Sequence, residues 1–163
     1  GASSDWEIVG MMRMLTAVFM LVFTVGLTSW ARSISESSSA ISIGKYFALL
    51  GLILIWIGFI AQVTGFELAS ENTDAAYALV EVSNIGFWFS GVTFAVSFFL
   101  IGVSAYRNKS GTPALNGLLA ILGLVATIGS FISWFFWLGG FGLCLVLLAI
   151  IGLQKVFRSE RAT

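Results

Sequence analysis

The chain has 163 residues, of which 58% are apolar and only 10% are charged, against roughly 25% charged residues in ordinary soluble domains. A soluble core of this size could not bury so much apolar surface, and the net charge of zero gives no sign of nucleic-acid binding. The absence of histidine and the single cysteine remove the commonest general base and metal ligand and leave no internal disulfide.

Long uncharged apolar runs predict an all-α fold, a polytopic bundle of transmembrane helices. Barrel strands would alternate over about ten residues, whereas these runs are about twenty residues long and do not alternate. No soluble domain separates them, so we expect residues 1–163 to form one transmembrane domain. The five predicted spans cover residues 9–31, 43–66, 84–106, 114–133 and 138–156.

The first span begins with the run "GMMRM", which places Met11, Met12 and Met14 together. Thioethers are soft ligands for Cu(I), and residues three apart share a helix face. Methionine is also an ordinary flexible core filler, and Arg13 would repel a cation. We therefore expect packing here, with copper binding as the less favoured alternative, and no cofactor elsewhere.

Arg13 lies about four residues, or roughly 6 Å, inside the first span. It can extend toward the interface, or it can pair with a carboxylate near the second external loop. The carboxylates available there are Glu67, Glu71, Asp74 and Glu81.

The second span carries glycine at every seventh position of "GKYFALLGLILIWIGFIAQVTG", at Gly44, Gly51, Gly58 and Gly65. A seven-residue period keeps one helix face aligned. In lipid, a face without side chains lets another helix approach closely. The pattern predicts a packing seam, made either within this bundle or with another subunit.

The third span carries only mild polar groups, with Thr93, Ser97 and Ser104 on roughly one face. Ion-coupled transporters generally need charged groups inside the membrane, and this chain has none at mid-span. This face gives only weak support to the alternative function, which is a small oligomeric channel or passive transporter with an acidic outer mouth.

Pro113 is expected to start the fourth helix. The apolar stretch that follows, 114–157, is too long for one span, since 44 residues would extend about 66 Å. We expect the turn within "SWFFWLGG", at Gly139 and Gly140.

Five spans place every Lys and Arg except Arg13 on one side, and every Asp and Glu except Glu36 and Glu160 on the other. The positive-inside rule then predicts an outside N-terminus and a cytoplasmic C-terminus in the cell membrane.

The functional expectation follows from these features together. The sequence shows neither paired catalytic carboxylates nor a nucleophile–base motif, so we expect no enzyme activity. We expect a structural or accessory subunit of a larger membrane complex, in contact with lipids and with other membrane subunits or copies of itself.

Overall fold

Five helices make up the described chain. The computed structural model describes residues 2–35 and 37–160, with side chains described at residue 12 and over 15–35, 37–133 and 139–154. No strand occurs among these residues, so the predicted all-α fold is confirmed at that level. In chain order the helices are α1 (Ala2–Ile34), α2 (Ser39–Leu68), α3 (Thr73–Arg107), α4 (Pro113–Gly129) and α5 (Trp134–Glu160).

Three helices are long and apolar enough to cross a membrane: residues 15–34 of α1, and the whole of α2 and α3. α4 and residues 139–154 of α5 form shorter apolar helices. Large aliphatic side chains face outward, with Val22 66% and Ile60 59% exposed. Exposed apolar surface on this scale suits hydrocarbon and not water. These features are those of a membrane protein.

The helix starts follow local capping rules. The Ser38 hydroxyl accepts a hydrogen bond from the Ile41 amide at 3.5 Å, and Asn72 Oδ1 accepts one from the Ala75 amide at 3.0 Å. Both caps satisfy amides that the first helical turn leaves unpaired. Pro113 is the first residue of α4, which confirms the predicted start.

The predicted turn at Gly139 and Gly140 is wrong. α4 ends at Gly129 and α5 begins at Trp134, so both glycines lie inside α5. A Cβ on Gly140 would lie 2.8 Å from Ala126 Cβ. This glycine therefore serves a close approach of α5 to α4, where the sequence suggested a bend.

α3 is the central helix of the bundle. α2 and α4 pack along it, α1 packs mainly on α2, and α5 packs mainly on α4. α2 and α3 run antiparallel, since Gly44 near the start of α2 lies beside Ile101 near the end of α3. The Thr112 hydroxyl donates to Gln154 Oε1 at 2.9 Å, which brings the last part of α5 beside the start of α4.

This antiparallel order separates the described charges between the two ends of the bundle. The end of α1, the start of α2 and the end of α3 lie together and form what we call the basic end. The opposite end, where α2 connects to α3, carries Glu67, Glu71 and Asp74 and is called the acidic end. The basic end carries Arg32, Lys45, Arg107 and Lys109.

Candidate functional site

The four glycines of the α2 seam are all buried against α3 of the same chain. A Cβ on Gly51 would lie 2.7 Å from the Phe94 ring, and one on Gly58 would lie 3.2 Å from the Ser83 carbonyl oxygen. Gly44 and Gly65 face α3 in the same way, with closest approaches of 3.0 and 3.1 Å. The face that these glycines form is therefore occupied within the chain and is not open to another subunit.

The closest helix approach in the described chain involves glycines outside this seam. A Cβ on Gly123 of α4 would lie 2.5 Å from the Phe99 backbone nitrogen of α3. A Cβ on Gly102 of α3 would lie 2.7 Å from the Ala120 backbone nitrogen of α4. Two helices whose backbones approach this closely leave no room for side chains between them. Gly123 stands in a six-residue spacing with Gly117 and Gly129, which predicted a weaker seam than the repeat on α2, and Gly102 belongs to neither pattern.

The polar face of α3 lies inside the packed helices. Thr93, Ser97 and Ser104 are all buried. The Thr93 hydroxyl donates to the Ser90 carbonyl oxygen at 2.7 Å. The buried Ser97 oxygen has no hydrogen-bond partner. These hydroxyls therefore lie buried among the packed helices.

The methionine cluster can be assessed at one position. Met12 is 63% exposed, and the side chains of Met11, Arg13 and Met14 lie outside the described residues. The copper alternative and the pairing of Arg13 therefore stay predictions.

The carboxylates near the acidic end are spread over an exposed surface. Within the residues described here, no group of three or more acidic, cysteine or histidine side chains is placed to hold a metal ion. Asp74 lies in the first turn of α3, where a negative charge stabilises the helix dipole. The four carboxylates, all exposed, are Glu67, Glu71, Asp74 and Glu81.

A groove between α1 and α5 is a feature that the sequence did not indicate. No Cα atom of α1 lies within 8 Å of one in α5 in the part of the chain that the structure describes. Two cavities lie along this space; α3 supplies most of the lining of the larger one, and α1 and α5 line the smaller one. The larger, about 720 Å³, lies toward the acidic end and is lined by Thr16, Met20, Ile55, Asn84, Ile85, Phe87, Trp88, Ser90, Gly91 and Phe141. The smaller, about 400 Å³, lies toward the basic end and is lined by Phe19, Phe23, Gly26, Leu27, Trp30, Leu145, Leu148, Ala149, Ile151 and Gly152.

Four phenylalanine rings form the floor between the two cavities. Phe23 of α1 lies 6.1 Å from Phe94 and 6.0 Å from Phe98 of α3, measured between ring centroids. Phe141 of α5 lies 6.1 and 5.8 Å from the same two rings. α1 and α5 are thus joined through aromatic side chains of α3, without direct backbone approach. Rings at these spacings attract one another and also hold the two helices apart.

The walls of the larger cavity present almost no free polar group. The Thr16 hydroxyl donates to the Met12 carbonyl oxygen at 2.9 Å, and the Ser90 hydroxyl donates to the Phe87 carbonyl oxygen at 2.8 Å. The Trp88 indole nitrogen donates to the Ser130 carbonyl oxygen at 3.1 Å. Apart from the Asn84 side-chain amide, which also lines the cavity, the described walls offer apolar surface to whatever enters it.

The smaller cavity has a glycine on each wall. A Cβ at Gly26 of α1 or at Gly152 of α5 would meet nothing within 4 Å. The glycines of the α2–α3 and α3–α4 contacts all face a neighbour, whereas these two face open space. Small residues on transmembrane helices are typical of positions where another helix approaches.

The groove is the candidate functional site. It could hold an apolar side chain or a lipid chain, since its cavities have the size of ordinary ligand pockets, about 300–1,000 Å³. Among the described residues that line it, no pair of titratable groups is placed for acid–base chemistry. No protein-family model, curated protein or solved structure matches the chain.

Proposed function

We propose that this protein is a five-span cell-membrane protein that acts as an accessory subunit of a larger membrane complex. In this proposal the groove between α1 and α5 receives a transmembrane helix of the larger partner. The observation that carries the proposal is the groove itself, with its apolar walls and open space at Gly26 and Gly152.

The contrast among glycines favours a helix as the occupant. Most helix-packing glycines of α2, α3 and α4 meet atoms of another helix of this chain. Gly26 of α1 and Gly152 of α5 line the same cavity and have no such neighbour. A helix lying there could place a bulky side chain between the two glycines, and its packing would gain dispersion energy that lipid chains supply less completely.

The placement of charge supports the five-span arrangement. The described basic residues lie at one end of the bundle, and α5 returns to that end through the bond from Thr112 to Gln154. The positive-inside rule then puts this end in the cytoplasm and the N-terminus outside. The short α4, 17 residues and about 26 Å long, nearly matches a hydrocarbon thickness of about 30 Å.

The alternative function, a small channel or passive transporter, has weaker support. A channel needs a wet path, and the hydroxyls that would line it, at Thr93 and Ser97, are buried between helices. The walls of the groove are apolar and would not replace the hydration shell of an ion.

Site-specific crosslinking in intact cells tests the accessory role. A photoreactive residue at Leu145, on the groove wall, should crosslink to one distinct membrane polypeptide. The matched position is Leu143 on the same helix, which is 57% exposed and lies outside both cavities. It should give no such product. Crosslinks from Leu145 to a second copy of this chain, or to lipid alone, would overturn the proposal.

Bulky substitutions test the same site in a second way. Gly26→Leu and Gly152→Leu should remove the crosslinked partner while leaving the thermal unfolding of the purified chain unchanged. Gly139→Leu is the control, since a Cβ there also meets nothing within 4 Å but the residue lines neither cavity. Equal partner retention in all three variants would contradict docking in the groove.

Cysteine labelling tests the orientation separately. A cysteine at Asn72, in the connection at the acidic end, should react with an impermeant thiol reagent added outside intact cells. Cysteines at Ser38 and Ser110, in the two connections at the basic end, should react only after permeabilisation. Labelling of Ser38→Cys from outside would reverse the proposed topology.

A further inference from the structure

A second, polar pocket lies at the basic end, between the end of α1 and the start of α2. It has a volume of about 220 Å³ and is lined by Thr28, Arg32, Ser42, Lys45, Tyr46 and Leu49. We call it the basic pocket. It is separate from the α1–α5 groove and shares no lining residue with either groove cavity.

The basic pocket is built by helical spacing on both helices. Thr28 and Arg32 are four residues apart on α1, and Ser42, Lys45 and Leu49 follow each other on one face of α2. Residues at these spacings lie side by side along a helix. The antiparallel pairing of α1 and α2 then brings two cations and a serine hydroxyl to one concave surface.

Positive charge in the pocket is only partly offset. The connection between Arg32 and Lys45 contains one acidic residue, Glu36, which lies outside the described residues. The first turn of α2 contains no acidic side chain. The positive end of the α2 dipole lies at this end of the bundle, while the negative end of the α1 dipole acts on Arg32 in the last turn of α1. Two like charges that line one pocket are stabilised by a shared anion.

The depth of the pocket suits an ion at the membrane interface. Lys45 is the seventh residue of α2, so it lies roughly 9 Å along the helix axis from the first residue. Tyr46 is 72% exposed, as expected for an aromatic ring at the level of lipid headgroups. Both features place the pocket where headgroup and hydrocarbon meet.

The surface beyond the pocket is apolar and continues along α2 toward the middle of the helix. Leu49 is 45% and Ile53 56% exposed, and the same outward face continues through Ile57 and Ile60. An acyl chain attached to a group in the pocket could lie along this face. A free anion in the pocket would gain nothing from it.

From these observations we propose that the basic pocket binds the phosphate of an anionic phospholipid, with an acyl chain lying along the exposed face of α2. Arg32 and Lys45 supply the charge, and the Ser42 hydroxyl is placed to donate a hydrogen bond to a phosphate oxygen. The Thr28 hydroxyl donates to the Thr24 carbonyl oxygen at 2.9 Å, so it shapes the pocket without donating to the ligand. This proposal rests on the membrane placement of α1 and α2, and it is independent of the accessory role.

Native mass spectrometry of the full chain in mild detergent tests the site. Phosphatidylglycerol and phosphatidylcholine with identical acyl chains are titrated separately. We expect the wild type to retain one phosphatidylglycerol per chain at concentrations where phosphatidylcholine is not retained. The double variant Arg32→Gln/Lys45→Gln should bind phosphatidylglycerol about tenfold more weakly or worse, since each basic residue near a membrane surface contributes several-fold.

The matched control removes two positive charges from the same end of the bundle. Arg107→Gln/Lys109→Gln should bind phosphatidylglycerol like the wild type, because neither residue lines the basic pocket. A charge-conserving variant, Arg32→Lys/Lys45→Arg, should retain binding within a few-fold, which separates lost charge from a damaged fold.

Three results would overturn the proposal. The first is an equal loss of lipid in Arg107→Gln/Lys109→Gln, which would indicate a diffuse basic surface. The second is unchanged lipid binding in Arg32→Gln/Lys45→Gln. The third is displacement of the lipid by equimolar inorganic phosphate, which would indicate a site for free phosphate. Crosslinking from Leu145 tests the accessory role independently. The lipid-binding proposal and the accessory-subunit proposal can therefore be refuted separately.

Discussion

The helices of the α2–α3–α4 layer pack backbone against backbone, whereas α1 and α5 stay apart and are connected through aromatic side chains. In the layer, glycines let the helix backbones come together, so that a Cβ on Gly123 would lie 2.5 Å from a backbone nitrogen. Across α1 and α5, phenylalanine rings about 6 Å apart carry the contact through α3 and leave two cavities. Within lipid the hydrophobic effect does not bring helices together, so shape decides which contacts close. The chain therefore packs closely within the α2–α3–α4 layer and leaves open space between α1 and α5.

The largest expected effect comes from Gly123→Leu, which attacks the layer at its closest approach. The nearest atoms belong to the backbone of α3, and a backbone cannot rotate away from a new side chain. We expect a loss of about 3 kcal/mol or more in the free energy of unfolding, at the upper end of overpacking costs. Unfolding in detergent, followed by circular dichroism, measures it.

Gly26→Leu makes the same substitution as Gly123→Leu in the open groove between α1 and α5. A side chain there enters free space, and leucine is the better helix former by about 1 kcal/mol or less. The stability of the isolated chain should stay the same or rise slightly. Equal destabilisation by the two variants would remove the distinction between a closed layer and an open groove.

A smaller loss is expected for Gly58→Leu in the α2 seam, about 1–3 kcal/mol. A Cβ there would lie 3.2 Å from the Ser83 carbonyl oxygen and 3.5 Å from both the ring and the backbone nitrogen of Phe87. These distances are longer than the 2.5 Å at Gly123, so a smaller shift of α3 makes room for the side chain. The control Leu50→Ile changes a side chain that is 45% exposed on the same helix and should cost less. An unaltered melting temperature for Gly58→Leu would mean that the seam does not contribute to stability.

Phe141→Leu tests the aromatic floor and should cost about 1 kcal/mol, the scale of the aromatic pair energy beyond buried area. It removes ring contacts with Phe94 and Phe98 together. The control Phe131→Leu removes one ring contact, with Trp88, from a side chain that is 67% exposed, and it should cost less than Phe141→Leu. Equal melting temperatures for the two variants would mean that the Phe141 ring contacts do not stabilise the packing of α5 on α3.

Ser97→Ala has the smallest expected effect and the opposite sign. The Ser97 hydroxyl is fully buried without a hydrogen-bond partner, and leaving such a group unsatisfied costs about 1–3 kcal/mol. Removing it should leave the chain as stable or slightly more stable. A clear loss of stability would mean that the hydroxyl contributes an interaction that the packed α2–α3 contact does not account for.

The spacing of glycines in α2 predicted a packing seam without deciding its partner. The spacing of Gly44, Gly51, Gly58 and Gly65 required only that some helix lie close to that face. Nothing in the spacing distinguishes α3 of this chain from a helix of another subunit. The structure identifies the partner helix, since each of the four glycines faces a residue of α3 of the same chain.

What the sequence determined by itself is the part governed by length, charge and backbone chemistry. Uncharged runs of about twenty residues must be helical in lipid, because no water is present there to satisfy the backbone. Pro113 starts a helix because its missing amide is not needed in the first turn. The basic residues whose side chains the structure describes, Arg32, Lys45, Arg107 and Lys109, lie at one end of the bundle because alternate connections carry them.

Only the tertiary structure decided which faces meet, and the physical reason is the solvent. In water, a helix shows its buried face by apolar periodicity. Here the outward Ile60, 59% exposed, and the fully buried Ile41 are chemically identical, because lipid and protein core are equally apolar. The turn at 130–133 in place of Gly139 and Gly140, the contact between Gly123 and Phe99, and the groove at Gly26 and Gly152 all depend on shape in three dimensions.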